Sequence, residues 1–432
     1  MTRLATDGTL DSSFGAAGRA IFQVGDTNSI AEQALKVALQ SDGKVLVGGR
    51  CASGSTTASC VARLLPNGTL DSTFGTGGKL FLPYLREFGA IRAAVGPTIL
   101  VTGGCGITGI GSSPAKMCVM QFQANGTPDA AFGTSGTYEF PYLPGSSGAD
   151  VGLALAIRSD GVIAIAGRCG AAGLTTGTAC VGFLNANGTP NGSAFFQAMG
   201  PVTFPDNSNT NNSLESVAWR VDGALVAAGR CTRSNSTAGV CVLYGNLAMN
   251  ETVQATAEDN VSPIGEDPDW FMSTVDVQVL ADGRSLVFFP RKVSATSVAM
   301  SYYLYGASFN AITTDEIQPR ASAPNFGWAG GAVQADGKFL IAGSCLPAAA
   351  SPPNACTARF SGFPSPARQC SLDMDGDGAV TATIDGLIST RVMLGMTGSS
   401  VLNGITLPAT ATRTTWPLIR EHLVTQCGLV IP

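Results

Sequence analysis

SDGKVLVGGRC, residues 41–51, returns as SDGVIAIAGRC at 159–169, VDGALVAAGRC at 221–231 and ADGKFLIAGSC at 335–345, with a worn copy, ADGRSLVFFP, at 281–290. The aspartates Asp160, Asp222, Asp282 and Asp336 stand 62, 60 and 54 residues apart, and Asp42 precedes Asp160 by 118, two steps of 59. VGPTILVTGGC at 95–105 fills the step between them. Six repeats of about 60 residues result, a period that suits one four-stranded sheet per repeat and marks propellers or solenoids.

Within the first repeat, Ala34–Gln40 alternates apolar and polar, Asp42-Gly43 reads as the positive-φ pair of a two-residue hairpin, and Lys44–Cys51 is a second, apolar strand. Val61–Leu65 is a third strand, Asn67-Gly68 a further turn and Lys79–Leu82 a fourth strand. Between the last two lies LDSTFGTGG at 70–78, in which Phe74 reads as a plug between neighbouring sheets. The phrase recurs as LDSSFGAAG at 10–18 and PDAAFGTSG at 128–136. On these residues the chain resembles the delta-60 repeat family, whose members look like secreted β-propellers. The resemblance covers about residues 1–360 and implies a fold, not an activity.

The expected architecture is all-β: a six-bladed propeller over 1–363, followed by a small helical module over 364–432. The sixth repeat carries only its first three strands, whereas residues 1–24 carry third- and fourth-strand sequence. Arg19–Val24 is therefore expected to complete the last blade and cover its edge. The duplicated third strand keeps a seventh blade open as the alternative. Thr2-Arg3-Leu4 aligns with Ala62-Arg63-Leu64, so Met1 falls in mid-strand and a natural start with a secretory leader is expected further upstream.

Twelve cysteines fall into neighbouring pairs: Cys51 with Cys60, Cys105 with Cys118, Cys169 with Cys180, Cys231 with Cys241, Cys345 with Cys356, and Cys370 with Cys427. Zinc would need Cys-x-x-Cys steps or histidine partners, and neither occurs. Six disulfides are the expectation, each short loop adding on the order of 2 to 3 kcal/mol in an oxidising compartment. The protein is read as extracellular or cell-surface.

A different text begins after SGFPSPARQ at 361–369, with Asp373, Asp375 and Asp377 at positions 1, 3 and 5 of an EF-hand-like loop and Gly378 at position 6. Oxygen ligands two residues apart suit calcium, with the carbonyl of Ala379 at position 7 and Asp385, one residue beyond position 12, as the closing carboxylate. An acidic turn capping a helix is the structural alternative. Helices are expected from Asp385 and over Trp416–Val424, and the segment resembles half of a dockerin, since no acidic residue lies between Gly386 and Arg420 to make a second loop.

Net charge is −5 and the one histidine is His422, so nucleic acid is excluded as a partner and histidine-dependent triads are excluded from the repeats. No apolar run of about 18 residues exists to span a membrane. Arg50, Arg168 and Arg230 recur just before a cysteine and, with Trp270, are the candidate ligand-binding residues. Local pairing explains the arginines equally. A glycosidase-type pair would have to come from Glu215, Asp267, Asp269, Asp276 or Glu316, and spacing selects no two of them. The divergent stretch 246–275 is the first candidate binding surface, because long insertions on a rigid scaffold carry recognition.

The chain thus reads as a binding or display module with a calcium-dependent tail. Its partner is a protein or polysaccharide at a cell surface or in an extracellular assembly. The alternatives are an extracellular carbohydrate-active hydrolase or lyase, and a purely structural surface protein.

Overall fold

A computed structural model describes residues 1–423 apart from 26–31, 54–55, 95, 107–114, 142–149, 171–177, 192–198, 202–211, 233–237, 246–253, 258–274, 281, 295–296, 307–310, 318–325, 335–337, 346–353 and 361–370. Each repeat folds into one antiparallel sheet. The first holds β1 (Gln33–Leu39), β2 (Val45–Ser53), β3 (Thr56–Leu64) and β4 (Lys79–Leu82), paired in chain order. The second holds β5 (Leu85–Ala93), β6 (Ile99–Cys105), β7 (Lys116–Phe122) and β8 (Thr137–Glu139). The third holds β9 (Val151–Ile157), β10 (Ile163–Cys169), β11 (Thr178–Leu184) and β12 (Met199–Pro201). The fourth holds β13 (Ser213–Trp219), β14 (Leu225–Thr232), β15 (Ala238–Gly245) and β16 (Gln254–Ala257). The fifth holds β17 (Asp276–Val279), β18 (Ser285–Ser294), β19 (Ser297–Tyr305) and β20 (Ala311–Ile317). The sixth shows three strands, β21 (Phe326–Val333), β22 (Phe339–Cys345) and β23 (Asn354–Phe360).

The sheets stack face to face in chain order. One apolar cluster joins the first and second through Leu46, Val61, Phe88 and Ile91. Corresponding clusters join the second to the third, the third to the fourth, the fourth to the fifth and the fifth to the sixth. All six first strands line one central cavity, so the repeats form a β-propeller.

The hairpin turn differs from the two-residue form expected. Leu39 pairs with Val45, Gln40 N–H donates to Lys44 O (2.9 Å), and Gly43 N–H donates to Gln40 O (2.9 Å). The loop is therefore three residues long, and only Gly43, at φ 80°, is left-handed. Asp42 serves through its carboxylate, which accepts Lys44 N–H at 3.2 Å.

The glycine before each recurring arginine or its counterpart has a packing reason. A Cβ on Gly49, Gly103, Gly167 or Gly229 would fall on the carbonyl oxygen of Gln33, Glu87, Val151 or Ser213 respectively, in the neighbouring first strand. Only a residue without Cβ lets the two strands close there.

Phe74 is a plug, as its place in the repeat predicts. It is fully buried and lies against Gly126 of the next repeat, where Gly75 N–H donates to Asn125 O at 2.8 Å. Phe14 stands in the same way on Gly68, and Phe132 on Gly188. The Asn-Gly-Thr strings are turns: Asn67 Oδ1 accepts both the N–H and the hydroxyl of Thr69, and Asn125 and Asn187 repeat the pattern.

Four disulfides join Cys51 to Cys60, Cys105 to Cys118, Cys169 to Cys180 and Cys231 to Cys241, with Cα atoms 5.7 to 6.1 Å apart. Cys356 is disulfide-bonded as well. The expected link between Cys370 and Cys427 lies outside the described residues.

Residues 1–3 run antiparallel to 18–20: Thr2 bridges Arg19, and Met1 and Ala20 exchange backbone bonds of 2.7 and 2.9 Å. The segment expected to close the sixth sheet thus lies beside the chain's own first residues. Phe14 and Ala20 pack on Val45, Val47 and Leu64 of the first sheet.

In the tail, α1 (Asp385–Met393) and α2 (Trp416–Glu421, with Pro417 in its first turn) enclose a core of Met374, Ile388, Val401, Ile419 and Leu423. No helix among the described residues is long and apolar enough to cross a membrane.

Candidate functional site

Reading each first strand back from its turn shows how the channel is made. The residues six places before the hairpin aspartate are Lys36, Ala154, Ser216, Asp276 and Gly330, and all five line the central cavity of about 970 Å³. Arg92 and Gln278 also line it, one side-chain layer closer to the turns. The wall mixes apolar residues with polar ones and carries six charged residues, Asp7, Lys36, Arg92, Glu215, Asp276 and Arg359.

Asp276 accepts three hydrogen bonds, from Ser216 Oγ (2.9 Å), Gln278 Nε2 (3.1 Å) and Gly331 N–H (3.1 Å). Glu215 on the neighbouring strand pairs with Arg230 at 2.9 Å and accepts Val275 N–H at 3.1 Å. Both acids are therefore fixed by partners. The cations are not: among the described residues neither Lys36 nor Arg92 makes an ion pair, and Arg92 donates only to Ile91 O at 3.0 Å. Burial pushes the Lys36 ammonium below the usual lysine range, with Arg92 adding repulsion, while Asp276 and Glu215 partly restore it. Burial likewise disfavours the charged form of Arg92, opposed by Asp276. The cavity wall thus carries three cations, Lys36, Arg92 and Arg359, beside three carboxylates, Asp7, Glu215 and Asp276, and of the cations Lys36 and Arg92 lie on first strands.

The arginines singled out by repetition stand elsewhere. Arg50, Arg168 and Arg230 pair in register with Gln33, Val151 and Ser213 at the far ends of the second strands, and none lines the cavity. Arg230 bears on it indirectly, by holding Glu215. Trp219 is a packing residue, its ring 4.8 Å from the Arg158 guanidinium and its Nε1 donating to Ala156 O at 3.4 Å. Of the five acids considered for a catalytic pair, Glu215 and Asp276 are brought to one cavity. Asp267, Asp269 and Trp270 fall outside the described residues, as does most of 246–275. The signal that finds the channel is the column six places before the turn, which pattern reading of whole strands averages away.

The tail holds a second site. One oxygen from each of Asp373, Asp375 and Asp377 lies within 4.8 Å of the others. Asp373 accepts backbone N–H bonds from Gly376 (2.6 Å), Asp377 (3.2 Å) and Gly378 (3.0 Å), which curls the loop around its carboxylate. Asp375 is 1% exposed and its Oδ2 has no hydrogen-bond partner. Burial, together with repulsion from Asp377 and Asp385, raises the Asp375 pKa above the ordinary carboxylate value. An orphaned buried carboxylate oxygen facing two more carboxylates is the donor set of a hard cation.

Asp385 stands behind the loop. Its oxygens accept Met374 N–H (2.6 Å) and Thr381 N–H (2.7 Å), and although burial opposes it, these donors lower its pKa. Arg413 reaches across to the acidic loop from the far side of the tail. Its Nε donates to Met374 O at 3.0 Å, its Nη2 donates to Asp373 O, and its backbone N–H meets Asp375 O at 2.7 Å.

Residues 40–74 match a family described as a domain of unknown function (DUF5122), beta-propeller. No curated protein matches the chain. Among solved structures, a protein of unknown function from Dyadobacter fermentans is 12% identical with a TM-score of 0.42, over 76% of this chain and 93% of that one. A DUF4221 family member from Bacteroides vulgatus is 9% identical with a TM-score of 0.41, over 76% and 93%. The polysaccharide lyase Uly1 is 10% identical with a TM-score of 0.39, over 83% and 87%.

Proposed function

We propose that the protein is a secreted binding module: a six-repeat propeller whose central channel takes a small anionic ligand, an acidic sugar or sugar chain end, and whose tail docks or anchors it when calcium is bound. The observation that carries the channel reading is the pair Lys36 and Arg92, half-buried in one cavity and without ion-pair partners among the described residues. Desolvated cations are costly to keep, and a carboxylate ligand accepting from both offsets that cost. Asp276 and Glu215, already fixed, are placed to accept ligand hydroxyls and to reject a second negative charge.

Calcium in the tail would be held by Asp373, Asp375, Asp377 and the Ala379 carbonyl, with Asp385 bracing the loop backbone. The cation would supply the charge that lets three carboxylates share one small volume. Disulfides in successive repeats support an oxidising, extracellular setting.

Calorimetric titration with glucuronate and with glucose tests the channel. Saturable binding of glucuronate alone, lost in both Lys36→Met and Arg92→Met, is the expected outcome; equal or no binding of the two sugars defeats the reading. A second reading, a carbohydrate-active hydrolase or lyase, is favoured by the meeting of Glu215 and Asp276 in one cavity. Turnover of an acidic polysaccharide that is lost in Asp276→Asn would establish it.

A further inference from the structure

One contact repeats around the ring and fixes the order of its stations. Arg3 Nη1 donates to Pro66 O, and Arg63 Nη1 donates to Ala124 O: in each case a third-strand arginine reaches the turn that follows the third strand of the next repeat. Arg359, in the third strand of the sixth sheet, donates through Nη1 to Thr6 O at 2.5 Å. Thr6 precedes Asp7-Gly8 as Pro66 precedes Asn67-Gly68, so it occupies the same turn position. Residues 1–20 are therefore the station after the sixth sheet and before the first, not a part of either. This station holds third- and fourth-strand structure, Thr2 bridging Arg19, and among the described residues no hairpin occupies its inner half.

Two observations show that half to be open. Val37 of β1 is 53% exposed, whereas its repeat counterparts Ile91, Leu155, Val217 and Val277, each covered by the preceding sheet, are at most 4% exposed. Leu39 beside it is 69% exposed. Among the described residues the cavity lining also reaches beyond the first strands here, to Ile341 and Thr357 of the second and third strands of the sixth sheet, together with Leu4. Exposed apolar residues at the rim of a stack of otherwise buried interfaces mark an interface without its partner.

We infer that the ring has seven stations and that the inner half of the seventh is a docking site for a β-hairpin of the repeat's own kind, two apolar strands joined by a tight glycine-bearing turn. The argument for this occupant is continuity. Every other station fills the same position with a hairpin of its first two strands, joined through Asp-Gly in five of the six, and β1 presents to it the face that β5, β9, β13 and β17 present to theirs. The hairpin would cover Val37 and Leu39, pair with the open edge of Thr2–Leu4 and close the channel wall. This inference stands apart from the channel ligand and from the tail.

The test joins a copy of residues 33–61 to Thr2 in place of Met1, in the full chain. A second protein carries the same addition with Leu46→Asp in the added copy only. The expected result is a melting temperature at least 5 °C above that of the unextended chain, and at least tenfold slower amide exchange across the original β1, in the first protein and not in the second. An unchanged melting temperature and exchange, or equal changes with the disrupted copy, would overturn the inference. Sedimentation of the unextended chain supplies a further check: a dimer in which β1 is already protected would make a second copy the occupant and overturn it as well.

Discussion

The guanidinium carbon of Arg63 lies 4.6 Å from the centre of the Phe74 ring, while the same side chain holds Asp71 at 2.9 Å. Arg63 and Asp71 are almost fully buried. One group of three residues therefore fastens the third strand to the plug loop, and the plug fastens one sheet to the next. Phe74→Ala is expected to destabilise the propeller by about 3 to 5 kcal/mol, the range for emptying a well-packed aromatic site. Phe14→Ala, which lies in the half-open station itself, is expected to cost less. Urea denaturation of the two variants checks the order, and equal losses would count against the plug as the joint between complete sheets.

The Asp71 carboxyl is held below the ordinary range: burial opposes ionisation, but bonds from Thr73 and the charge of Arg63 outweigh it. A folded pKa below the unfolded one means that the stabilisation is complete above the unfolded value of about 3.9 and is lost as the pH falls through the folded value. Asp71→Ala leaves Arg63 buried without its partner, at an expected cost of about 3 to 5 kcal/mol at pH 7 that shrinks towards pH 2. Asp160 is the contrast. Its side-chain bonds with Arg158 bring its pKa to about 2, yet it lies on an exposed turn, and Asp160→Asn should leave the acid limb of the stability curve in place. Stability measured from pH 7 down to pH 2 separates the two.

How far the sequence reveals this molecule depends on whether a residue acts locally or through the ring. Asp42-Gly43, Asn67-Gly68 and Phe74 are legible because each shapes a turn or fills a gap at a fixed offset in its own repeat. The number of residues in the hairpin loop was not, since Asp-Gly serves both a two-residue turn and the three-residue loop found here. Lys36, Arg92, Glu215 and Asp276 meet only because six first strands converge on one axis, and within any single repeat each looks like an isolated polar substitution in a strand. The arginines before the cysteines show the reverse: repetition made them conspicuous, and the fold places them away from the channel.

Lys36 offers a test of function against stability. Burial lowers its pKa, so its charge costs the folded state free energy at neutral pH, and that cost disappears as the pH rises through the depressed value. Lys36→Met should therefore raise the melting temperature by a few degrees while abolishing binding of an acidic ligand. A variant that is both less stable and unable to bind would mean that Lys36 is a packing residue, and one that binds as before would remove it from the site.

Arg413 braces the acidic loop from across the tail, and its effect should depend on whether a cation is present. Its side chain forms an ion pair with Asp373 Oδ1 at 3.8 Å and donates to the Met374 and Asp373 carbonyls. Removing those donors leaves buried acceptors unmet, at about 1 to 3 kcal/mol. With calcium bound, the same loop is braced from inside by its aspartates, so the loss should be smaller. Arg413→Met is accordingly expected to lower the tail's unfolding temperature more in chelator than in calcium, with Asp375→Asn showing the opposite dependence if the proposed cation is held there. Calorimetric scans of the full chain in both buffers read the two signs at once. Equal losses for Arg413→Met in the two buffers would show that the arginine and the cation brace different parts of the tail.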